Sequence, residues 1–273
     1  MIDLTVNGTV LSATEHGQGP LVVLIMGSGS PGSIWRANQV PALLDAGFRV
    51  VTYDQRGVNA GTDARAAHTE SIPVRQLADD LAGLIEHFGG PAHLVGTSLG
   101  SRVALALALI RRDLVDRVVT MTGHARLDPV AERLARGEVE LFDSGVEVPA
   151  AYSSAVTALQ NLSPASLRDE AAARDWLDVL ELSPGAVTSA ERAHVAGLLE
   201  LGDRRAAYSG VTTPVLVLSF TDDVMVPPHL GRELAELLPT AEYVEVSDAG
   251  HYGYLERPGQ TNRHVIEFLT RSR

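Results

Sequence analysis

The stretch Ala92-His93-Leu94-Val95-Gly96-Thr97-Ser98-Leu99-Gly100 decides the fold of this chain. Ala92–Val95 is a short apolar run that predicts a buried strand, and the apolar pattern over Val103–Ile110 predicts a helix behind it. The residues between them follow the pattern G-x-S-x-G. At a strand-to-helix junction this pattern predicts a sharp, strained turn that projects the Ser98 hydroxyl above the carboxyl edge of a sheet. The alternative is that Ser98 only caps the N-terminus of the helix.

Away from this junction, strands and helices alternate along most of the chain. Buried strands separated by helices of this length pair in parallel through right-handed crossovers. We therefore expect an α/β fold, with a mostly parallel, doubly wound sheet led by an antiparallel hairpin at Asn7-Gly8. The predicted strands are Ile2–Val6, Thr9–Thr14, Leu21–Ile25, Phe48–Tyr53, Ala92–Val95, Val115–Met121, Pro214–Leu218 and Glu242–Val246, and the predicted helices outside the middle of the chain are Val74–Phe88, Val103–Ile110, His229–Leu238 and Pro258–Thr270.

The middle of the chain, residues 124–208, has a different pattern. It contains no continuous apolar strand, and it is rich in Ala, Leu, Arg and Glu. Pro149, Pro164 and Pro184-Gly185 interrupt it, which predicts several short helices. We therefore expect a core domain formed by residues 1–123 and 209–273, and a helical insertion at 124–208 packed on it.

The composition excludes several classes of protein. The 273 residues are 45% hydrophobic and 21% charged, which is typical of a globular protein with a substantial core. The 22 basic and 34 acidic residues give a net charge of −12, so we expect a small-molecule substrate rather than nucleic acid or a membrane surface. The chain has no cysteine and therefore no thiol nucleophile. Met1–Val6 carries no export signal and no apolar run reaches the roughly 20 residues of a membrane helix, so a cytoplasmic location is expected.

A serine nucleophile needs a general base with a pKa near neutrality, and histidine is the usual choice. His251 follows the strand Glu242–Val246 in the segment Asp248-Ala249-Gly250-His251, and therefore lies at the carboxyl edge that also carries Ser98. For His194 and most of the other histidines, solvation or a local hydrogen bond is the better interpretation. His251 is the predicted base.

The base needs a carboxylate that holds its tautomer and stabilises the imidazolium. Asp223 follows the strand Pro214–Leu218 and precedes a rigid turn into the next helix, so we assign the acid to Asp223. Asp222 is then a helper or a loop-capping residue. Asp128, which follows an earlier strand, is the other alternative.

Several further residues are candidates for lining a substrate pocket. His124 and His229 both follow strands at the same sheet edge, and Trp35 comes just after the loop that follows Leu21–Ile25. Met225 lies two residues beyond the predicted acid. Buried aromatic residues more often pack in a core than contact a substrate, so the assignment of Trp35 competes with simple packing.

The chain order Ser98, Asp223, His251, with each residue after a successive strand, resembles the α/β-hydrolase superfamily. The resemblance covers nearly the whole chain. Tyr53-Asp54-Gln55-Arg56-Gly57 is similar to the family's aspartate-x-arginine-glycine turn, and Gly250-His251 is similar to its glycine-histidine segment. The resemblance implies that the three side chains form a catalytic triad and that the helical insertion is a cap.

The same resemblance implies an oxyanion hole made of two backbone N–H groups. Here these belong to Leu99, directly after the nucleophile, and to Ser28, after the strand Leu21–Ile25. Many members of the family have histidine-glycine in this loop, whereas this chain has Met26-Gly27. Backbone donors survive that change. The methionine-glycine form is similar to a branch that includes actinobacterial polyketide methylesterases.

Residue types exclude some related chemistries. Haloalkane dehalogenases and epoxide hydrolases of the superfamily use an aspartate nucleophile, whereas this chain has Ser98 at that position. No His-Glu-x-x-His or other paired metal-ligand spacing occurs, and Gly27–Gly32 lacks the third glycine of a dinucleotide fingerprint. We therefore expect neither a metal nor another cofactor.

The sequence thus predicts a serine-dependent hydrolase that cleaves a small, largely apolar carboxylic ester through an acyl-enzyme intermediate. The net charge disfavours coenzyme A esters, unless Arg126, Arg133 and Arg136 form a local basic patch. The same triad could instead cleave a carbon–carbon bond, open or close a lactone, or catalyse a cyclisation or lyase step. A ligand-binding receptor that retains the triad is the alternative from another class. The sequence leaves these alternatives open, as it does the formation of a homodimer.

Overall fold

The computed structural model describes residues 1–58, 70–182 and 187–271, so the predicted break at Pro184-Gly185 lies outside the described residues. Its strands are β1 (Ile2–Val6), β2 (Thr9–His16), β3 (Leu21–Ile25), β4 (Arg49–Tyr53), β5 (Ala92–Thr97), β6 (Val115–Met121), β7 (Val215–Phe220) and β8 (Ala241–Val246). They form one sheet in the order β1-β2-β4-β3-β5-β6-β7-β8. The pairs β1–β2 and β2–β4 are antiparallel and the remaining pairs are parallel, which confirms the predicted architecture.

The helices follow the predicted alternation with small shifts at their ends. They are α1 (Gln39–Asp45), α2 (Val74–His87), α3 (Leu99–Ile110), α4 (Pro129–Ser144), α5 (Ala150–Asn161), α6 (Pro164–Leu167), α7 (Glu170–Glu181), α8 (Ser189–Leu201), α9 (Arg205–Tyr208), α10 (Pro228–Leu237), α11 (Gly253–Glu256) and α12 (Pro258–Leu269). Helix α3 begins at Leu99, next to the start at about Ser98 that the sequence predicts. Because Thr97 still pairs with Met121 in the sheet, Ser98 alone separates β5 from α3.

The core lies on both faces of the sheet. Side chains alternate along β3, so that Val23 and Ile25 pack with α2 and α3 on one face, while Val22 and Leu24 pack with α1 and α12 on the other. All five residues of β3 are buried, as a parallel strand covered on both faces requires. The central strands are therefore held on both faces by packed side chains, and the loops at their carboxyl ends start from this packed core.

Helices α4 to α9 lie between β6 and β7 in the described residues, where the sequence predicts the insertion. We call this segment the helical insertion. Within it α4 packs on α8 and α5 packs on α7. Helix α8 also contacts α2 of the sheet-bearing part, and the Ile72 N–H donates to the Ala193 carbonyl over 3.0 Å.

A buried arginine joins the two ends of the helical insertion to α3. Arg102 is 1% exposed, and its guanidinium donates to the His124 carbonyl at 3.1 Å and the Gly202 carbonyl at 3.0 Å. The two ends also bond each other, since the Arg204 N–H donates to the Ala125 carbonyl at 2.9 Å. We call this arrangement the arginine clamp. It fixes the start and the finish of the insertion relative to the helix that follows Ser98.

Candidate active site

The turn that carries Ser98 is strained, as the sequence predicts. Ser98 has φ 53° and ψ −118°, a backbone conformation that an L-residue rarely adopts. Its N–H is held by two acceptors, the Met121 carbonyl and the Thr122 Oγ1, each at 3.0 Å. Sheet hydrogen bonding therefore maintains the turn, and the side chain projects from the end of β5.

The glycine after this turn is required by close packing. A Cβ placed on Gly100 would overlap the backbone of Ile25 and Met26. The start of α3 can therefore lie directly against the end of β3. This contact sets the loop after β3 beside the turn: a Cβ on Gly27 would lie 3.5 Å from that of Ser98.

Asp223 and His251 form a buried hydrogen-bonded pair. The His251 Nδ1 and the Asp223 Oδ2 are 2.9 Å apart, and the aspartate side chain is 0% exposed. The other carboxylate oxygen, Oδ1, accepts the N–H groups of Met225 and Val226 at 2.9 Å each. Since a carboxylate only accepts, the ring donates from Nδ1, which leaves Nε2 as its basic nitrogen.

The two alternative acids have other roles. Asp128 caps the N-terminus of α4, where its Oδ1 accepts the N–H groups of Val130 and Ala131. Asp222 is partly exposed, and its carboxylate lies 3.5 Å from the Thr221 hydroxyl. The structure therefore brings Asp223 to the histidine, and neither Asp222 nor Asp128.

The strand order brings the three candidate residues to one edge of the sheet. Ser98 follows β5, Asp223 follows β7 and His251 follows β8, and these strands lie in the same half of the sheet with parallel directions. Their carboxyl ends therefore share an edge, which is where ligands bind in sheets of this kind.

A glutamate connects the histidine loop to the helical insertion. Glu256 accepts the Gly250 N–H at 2.7 Å with one oxygen and the Ser163 N–H at 2.8 Å with the other. The Tyr252 N–H, on the other side of His251, donates to the Asn161 carbonyl at 2.9 Å. The insertion is thus in direct contact with the segment that carries the candidate base.

The two candidate oxyanion donors lie on either side of this site. Leu99 is the first residue of α3, so its N–H belongs to the helix terminus, where backbone donors have no partner within the helix. Ser28 lies in a tight turn, in which the Ser30 N–H donates to the Gly27 carbonyl at 3.5 Å and the Ser30 hydroxyl to the Ser28 carbonyl at 3.3 Å.

The structure contradicts the assignment of Trp35 to the substrate pocket. It is 0% exposed and packs against Tyr254 with ring centroids 5.0 Å apart, inside the apolar cluster on the α1 and α12 face. It is a core residue, because its indole presents no surface to a ligand. His229 is exposed at the start of α10, while Met225 is half-buried and its N–H is engaged by Asp223.

His124 is buried near the candidate base. It is 1% exposed, and burial lowers its pKa to about 3, with the positive charge of Arg102 adding more to this effect than that of His251. Its Nδ1 lies 3.4 Å from the Thr122 carbonyl. His124 is therefore a weak proton acceptor near neutral pH, which makes it a poorer general base than an ordinary histidine.

Two glutamates of the helical insertion also belong to this region, and the sequence analysis missed them. Burial raises the pKa of Glu191 at the start of α8 to about 7, and the charge of Glu138 on α4 adds to the rise. Burial also raises the pKa of Glu138, and the charge of His251 partly opposes this. Burial raises the pKa of Tyr252 to about 12, with smaller contributions from both glutamates. The two carboxyl groups therefore lie within electrostatic reach of the histidine loop.

His194 was also misjudged from the sequence. It is 0% exposed rather than solvated, and its Nδ1 accepts the N–H of Gly29, 165 positions away in the chain. The one available signal was Thr188-x-x-Glu191, a capping box that predicts a helix start and that the structure contains. That motif places α8 in the sequence but does not say which side of it faces Ser28.

Replacing Glu191 with glutamine should stabilise the protein at alkaline pH but not at acidic pH. The folded state raises the pKa of this carboxyl from 4.5 to about 7, so the native state binds more protons than the unfolded state between these values. Stability therefore falls as the pH rises through that window and stays lower above it. Glutamine is neutral and still accepts the Thr188 N–H, so Glu191→Gln should gain about 1 to 3 kcal/mol at pH 8.5, a rise in Tm of roughly 3–8 °C.

The measurement is thermal unfolding of both proteins at pH 5 and pH 8.5. Glu200→Gln, on the exposed side of the same helix, is the matched control and should leave Tm unchanged at both pH values. An equal loss of stability for Glu191→Gln at both pH values would contradict the prediction, because it would show that the carboxylate is favourable in the fold.

The described part of the chain contains other features that could suggest binding, and they lie away from this site. One surface cleft is lined by Pro91, Val115 and Pro214 at the amino ends of β5, β6 and β7, and another by residues of α2 and the end of α3. Within residues 1–58, 70–182 and 187–271 no three His, Asp or Glu side chains are grouped to hold a metal ion. Over the same residues no helix combines the length and apolarity needed to cross a membrane.

Comparisons with known proteins agree with this fold. A family model described as the alpha/beta hydrolase fold matches residues 20–258. The candidate non-heme bromoperoxidase BpoC of Mycobacterium tuberculosis H37Rv is 37% identical over 260 residues, which cover 95% of this chain and 97% of that protein. Its crystal structure gives a TM-score of 0.89 and covers 95% of both chains.

Two further similar proteins carry hydrolase names. The candidate carbamate hydrolase RutD of Caulobacter sp. strain K31 is 34% identical over 253 residues, with 91% of this chain and 90% of that protein covered. The structure of a thermophilic esterase from Thermogutta terrifontis is 26% identical, has a TM-score of 0.82 and covers 98% of this chain and 97% of its own.

Proposed function

This chain belongs to the alpha/beta hydrolase fold family, and from that premise we propose that it is a serine-dependent hydrolase that cleaves a small, largely apolar carboxylic ester through an acyl-enzyme intermediate. Ser98 is the nucleophile, His251 the general base and Asp223 the residue that orients it. The core domain comprises residues 1–123 and 209–273, and the helical insertion at 124–208 serves as a cap over the site.

In the first half of the reaction, His251 Nε2 removes the hydroxyl proton of Ser98 while the oxygen attacks the ester carbonyl. The tetrahedral oxyanion accepts hydrogen bonds from the N–H groups of Leu99 and Ser28. The imidazolium, stabilised by Asp223, then gives its proton to the leaving alcohol. The acyl group stays on the serine oxygen.

In the second half, neutral His251 takes a proton from a water molecule, which attacks the acyl carbonyl. The same two N–H groups hold the second oxyanion. Collapse of this intermediate returns the proton to Ser98 and releases the carboxylic acid. Each half of the reaction begins with neutral His251, whose Nε2 carries the lone pair when Nδ1 donates to Asp223.

One observation carries this proposal: a buried Asp223–His251 pair at 2.9 Å lies at the sheet edge where a strained turn presents Ser98. A histidine held in one tautomer by a fully enclosed carboxylate is unusual in a purely structural role. The elbow conformation of Ser98 is costly, and it favours a nucleophile over a simple helix cap.

The charges around the site support a neutral substrate. Glu138 and Glu191 lie within electrostatic reach of the histidine loop, and when ionised they would repel a substrate carboxylate or phosphate. Two of the three arginines that could have formed a basic patch are paired, Arg126 with Glu233 at 2.9 Å and Arg136 with a glutamate of its own helix at 2.7 Å. Coenzyme A esters are therefore poor substrates.

The names of similar proteins favour cleavage of an acyl bond. The esterase of Thermogutta terrifontis is named for ester hydrolysis, and RutD is named for a carbamate, whose carbonyl presents the same electrophile. BpoC carries the name of a bromoperoxidase. The side chains of this site suffice for ester hydrolysis, which needs no reagent besides water.

The substrate preference is tested with a panel of esters. We expect short p-nitrophenyl esters to be hydrolysed with kcat/KM at least roughly a hundredfold above that of acyl-coenzyme A and of esters bearing a free carboxylate, since an unpaired charge opposing a partly buried carboxylate costs a few kcal/mol. The hydrolysis of p-nitrophenyl esters is followed by the absorbance of the released p-nitrophenol. The hydrolysis of acyl-coenzyme A is followed by the concentration of the released thiol. A preference for the anionic substrates would contradict the proposed substrate class.

A fluorophosphonate probe separates catalysis from binding. Stoichiometric labelling of Ser98, located by peptide mass spectrometry, is expected of an activated nucleophile. Absence of labelling would favour a ligand-binding receptor that retains the three side chains of the site without using them in catalysis. If the probe labels Ser98 but no ester is hydrolysed, the triad performs another of the reactions open to it.

A further inference from the structure

His194 links the helical insertion to the loop after β3, which lies beside the Ser98 turn, and to the loop after β4. It lies in α8 and is 0% exposed. The Gly29 N–H donates to its Nδ1 at 3.1 Å, and its Nε2 lies 2.8 Å from the Arg56 carbonyl. A single imidazole therefore contacts the loop after β3 and the loop after β4.

These contacts define the tautomer of the ring. A backbone N–H can only donate, so Nδ1 must offer its lone pair to Gly29. A carbonyl can only accept, so Nε2 must carry the proton that is shared with Arg56. His194 is therefore held as the neutral Nε2–H form, the opposite tautomer to that of His251.

Helix α8 also contacts Gly29 directly. A Cβ on this glycine would lie 2.6 Å from the Cβ and 3.0 Å from the Cα of Glu191, and the residue has φ 65°. No larger residue fits between the loop and the helix in this conformation. Two neighbouring turns of α8 thus hold the Gly29 backbone, one through the His194 ring and the other through the backbone and Cβ of Glu191.

Fixing Gly29 also fixes Ser28. The peptide unit from Ser28 to Gly29 is planar, so a Gly29 N–H aimed at His194 determines where the Ser28 carbonyl points. That carbonyl accepts the Ser30 hydroxyl at 3.3 Å, and the Gly27 carbonyl accepts the Ser30 N–H. With both flanking peptide units held, the direction of the Ser28 N–H is held as well.

We propose that His194 is a positioning residue, which acts through Gly29 to hold the Ser28 N–H in its place in the oxyanion hole. This inference rests on the proposed function, because it concerns the donor that stabilises the oxyanion. It assigns the helical insertion a second task besides covering the site. The insertion supplies part of the support for transition-state stabilisation.

The test compares three substitutions at position 194. His194→Asn places an amide oxygen near the position of Nδ1 and can accept the Gly29 N–H. His194→Gln reaches the position of Nε2 and can bond Arg56 but leaves Gly29 without an acceptor. His194→Ala removes both bonds. His87→Ala, at the exposed end of α2, is the control for loss of a histidine elsewhere.

We expect kcat for p-nitrophenyl acetate to fall roughly 10- to 100-fold in the Ala and Gln variants, less than the loss of a whole oxyanion donor, with KM changed by less than about threefold. The Asn variant should recover kcat to within about fivefold of the wild type. The Ki of an aryl boronic acid, whose tetrahedral adduct places an oxygen in the oxyanion hole, should rise by the same factor as kcat/KM falls.

The outcomes separate this inference from the proposed function. If the wild type is labelled at Ser98 and hydrolyses esters, but the Ala variant retains kcat within twofold, the inference is wrong and the proposed function stands. Equal losses of kcat in the Asn and Gln variants, in proportion to their losses of Tm, also overturn it, because they indicate a merely structural role. A wild type without labelling or ester hydrolysis overturns both.

Discussion

Ser98→Ala is expected to lower kcat for a p-nitrophenyl ester by roughly 10⁴- to 10⁶-fold, because no acyl-enzyme can form without the hydroxyl oxygen. The residual rate comes from substrate binding and from the oxyanion donors, which still stabilise the intermediate formed when water attacks the ester directly. The fold should be retained, since the strain at Ser98 is maintained by hydrogen bonds of its backbone N–H and not of its side chain. The measurements are steady-state hydrolysis, fluorophosphonate labelling and thermal unfolding.

The control for this substitution is Ser144→Ala. Ser144 is exposed at the end of α4, where its hydroxyl donates to the Leu141 carbonyl and accepts the Val146 N–H, so both labelling and turnover should remain at the wild-type level. A Ser98→Ala protein that hydrolyses esters at more than about a tenth of the wild-type rate would exclude Ser98 as the nucleophile.

Asp223→Asn is expected to lower kcat by roughly 10³- to 10⁴-fold, which is large for a change of one atom. The Oδ1 of Asp223 accepts two backbone N–H groups, from Met225 and Val226. The amide oxygen of asparagine must take that place, so its NH₂ group faces His251. The ring then has to accept at Nδ1, its proton moves to Nε2, and the lone pair that removes the Ser98 proton is lost.

Asp222→Asn is the matched control, because it makes the same chemical change one residue earlier. Asp222 is partly exposed and has no described contact with the histidine, so its kcat should stay within about threefold of the wild type. Steady-state kinetics and Tm are measured for both variants. Similar losses for the two variants would indicate that Asp223 acts through loop structure rather than through the tautomer of His251.

The fold could be predicted from the sequence because its signals are local. Continuous apolar runs such as Leu21–Ile25 and the glycines around Ser98 are determined by burial on both sheet faces and by a tight turn. Strand order placed Asp223 and His251 at the edge that carries Ser98, because residues after parallel strands share one edge, and the turn before the next helix favoured Asp223 over Asp222. None of these inferences needs knowledge of how distant helices dock.

The contacts of the helical insertion could not be predicted, because they depend on docking. The sequence shows a capping box at Thr188 and Glu191, but the orientation of α8 toward Gly29 arises from packing against α2 and α4. His194 therefore looked like an ordinary helical histidine. Trp35 was misassigned for a related reason, since its place in the core depends on Tyr254, which is distant in the sequence.

The arginine clamp has a consequence for how this protein can diverge. The carbonyls of His124 and Gly202 bind one guanidinium, so the chain passes the same point on α3 soon after it leaves β6 and again before α9 and β7. A segment whose two ends meet can be lengthened, shortened or exchanged for a homologous one without moving the strands on either side. The inserted helices can therefore change in length between these two points, whereas residues that contact the histidine loop or Gly29, such as Asn161, Ser163 and His194, are constrained to stay.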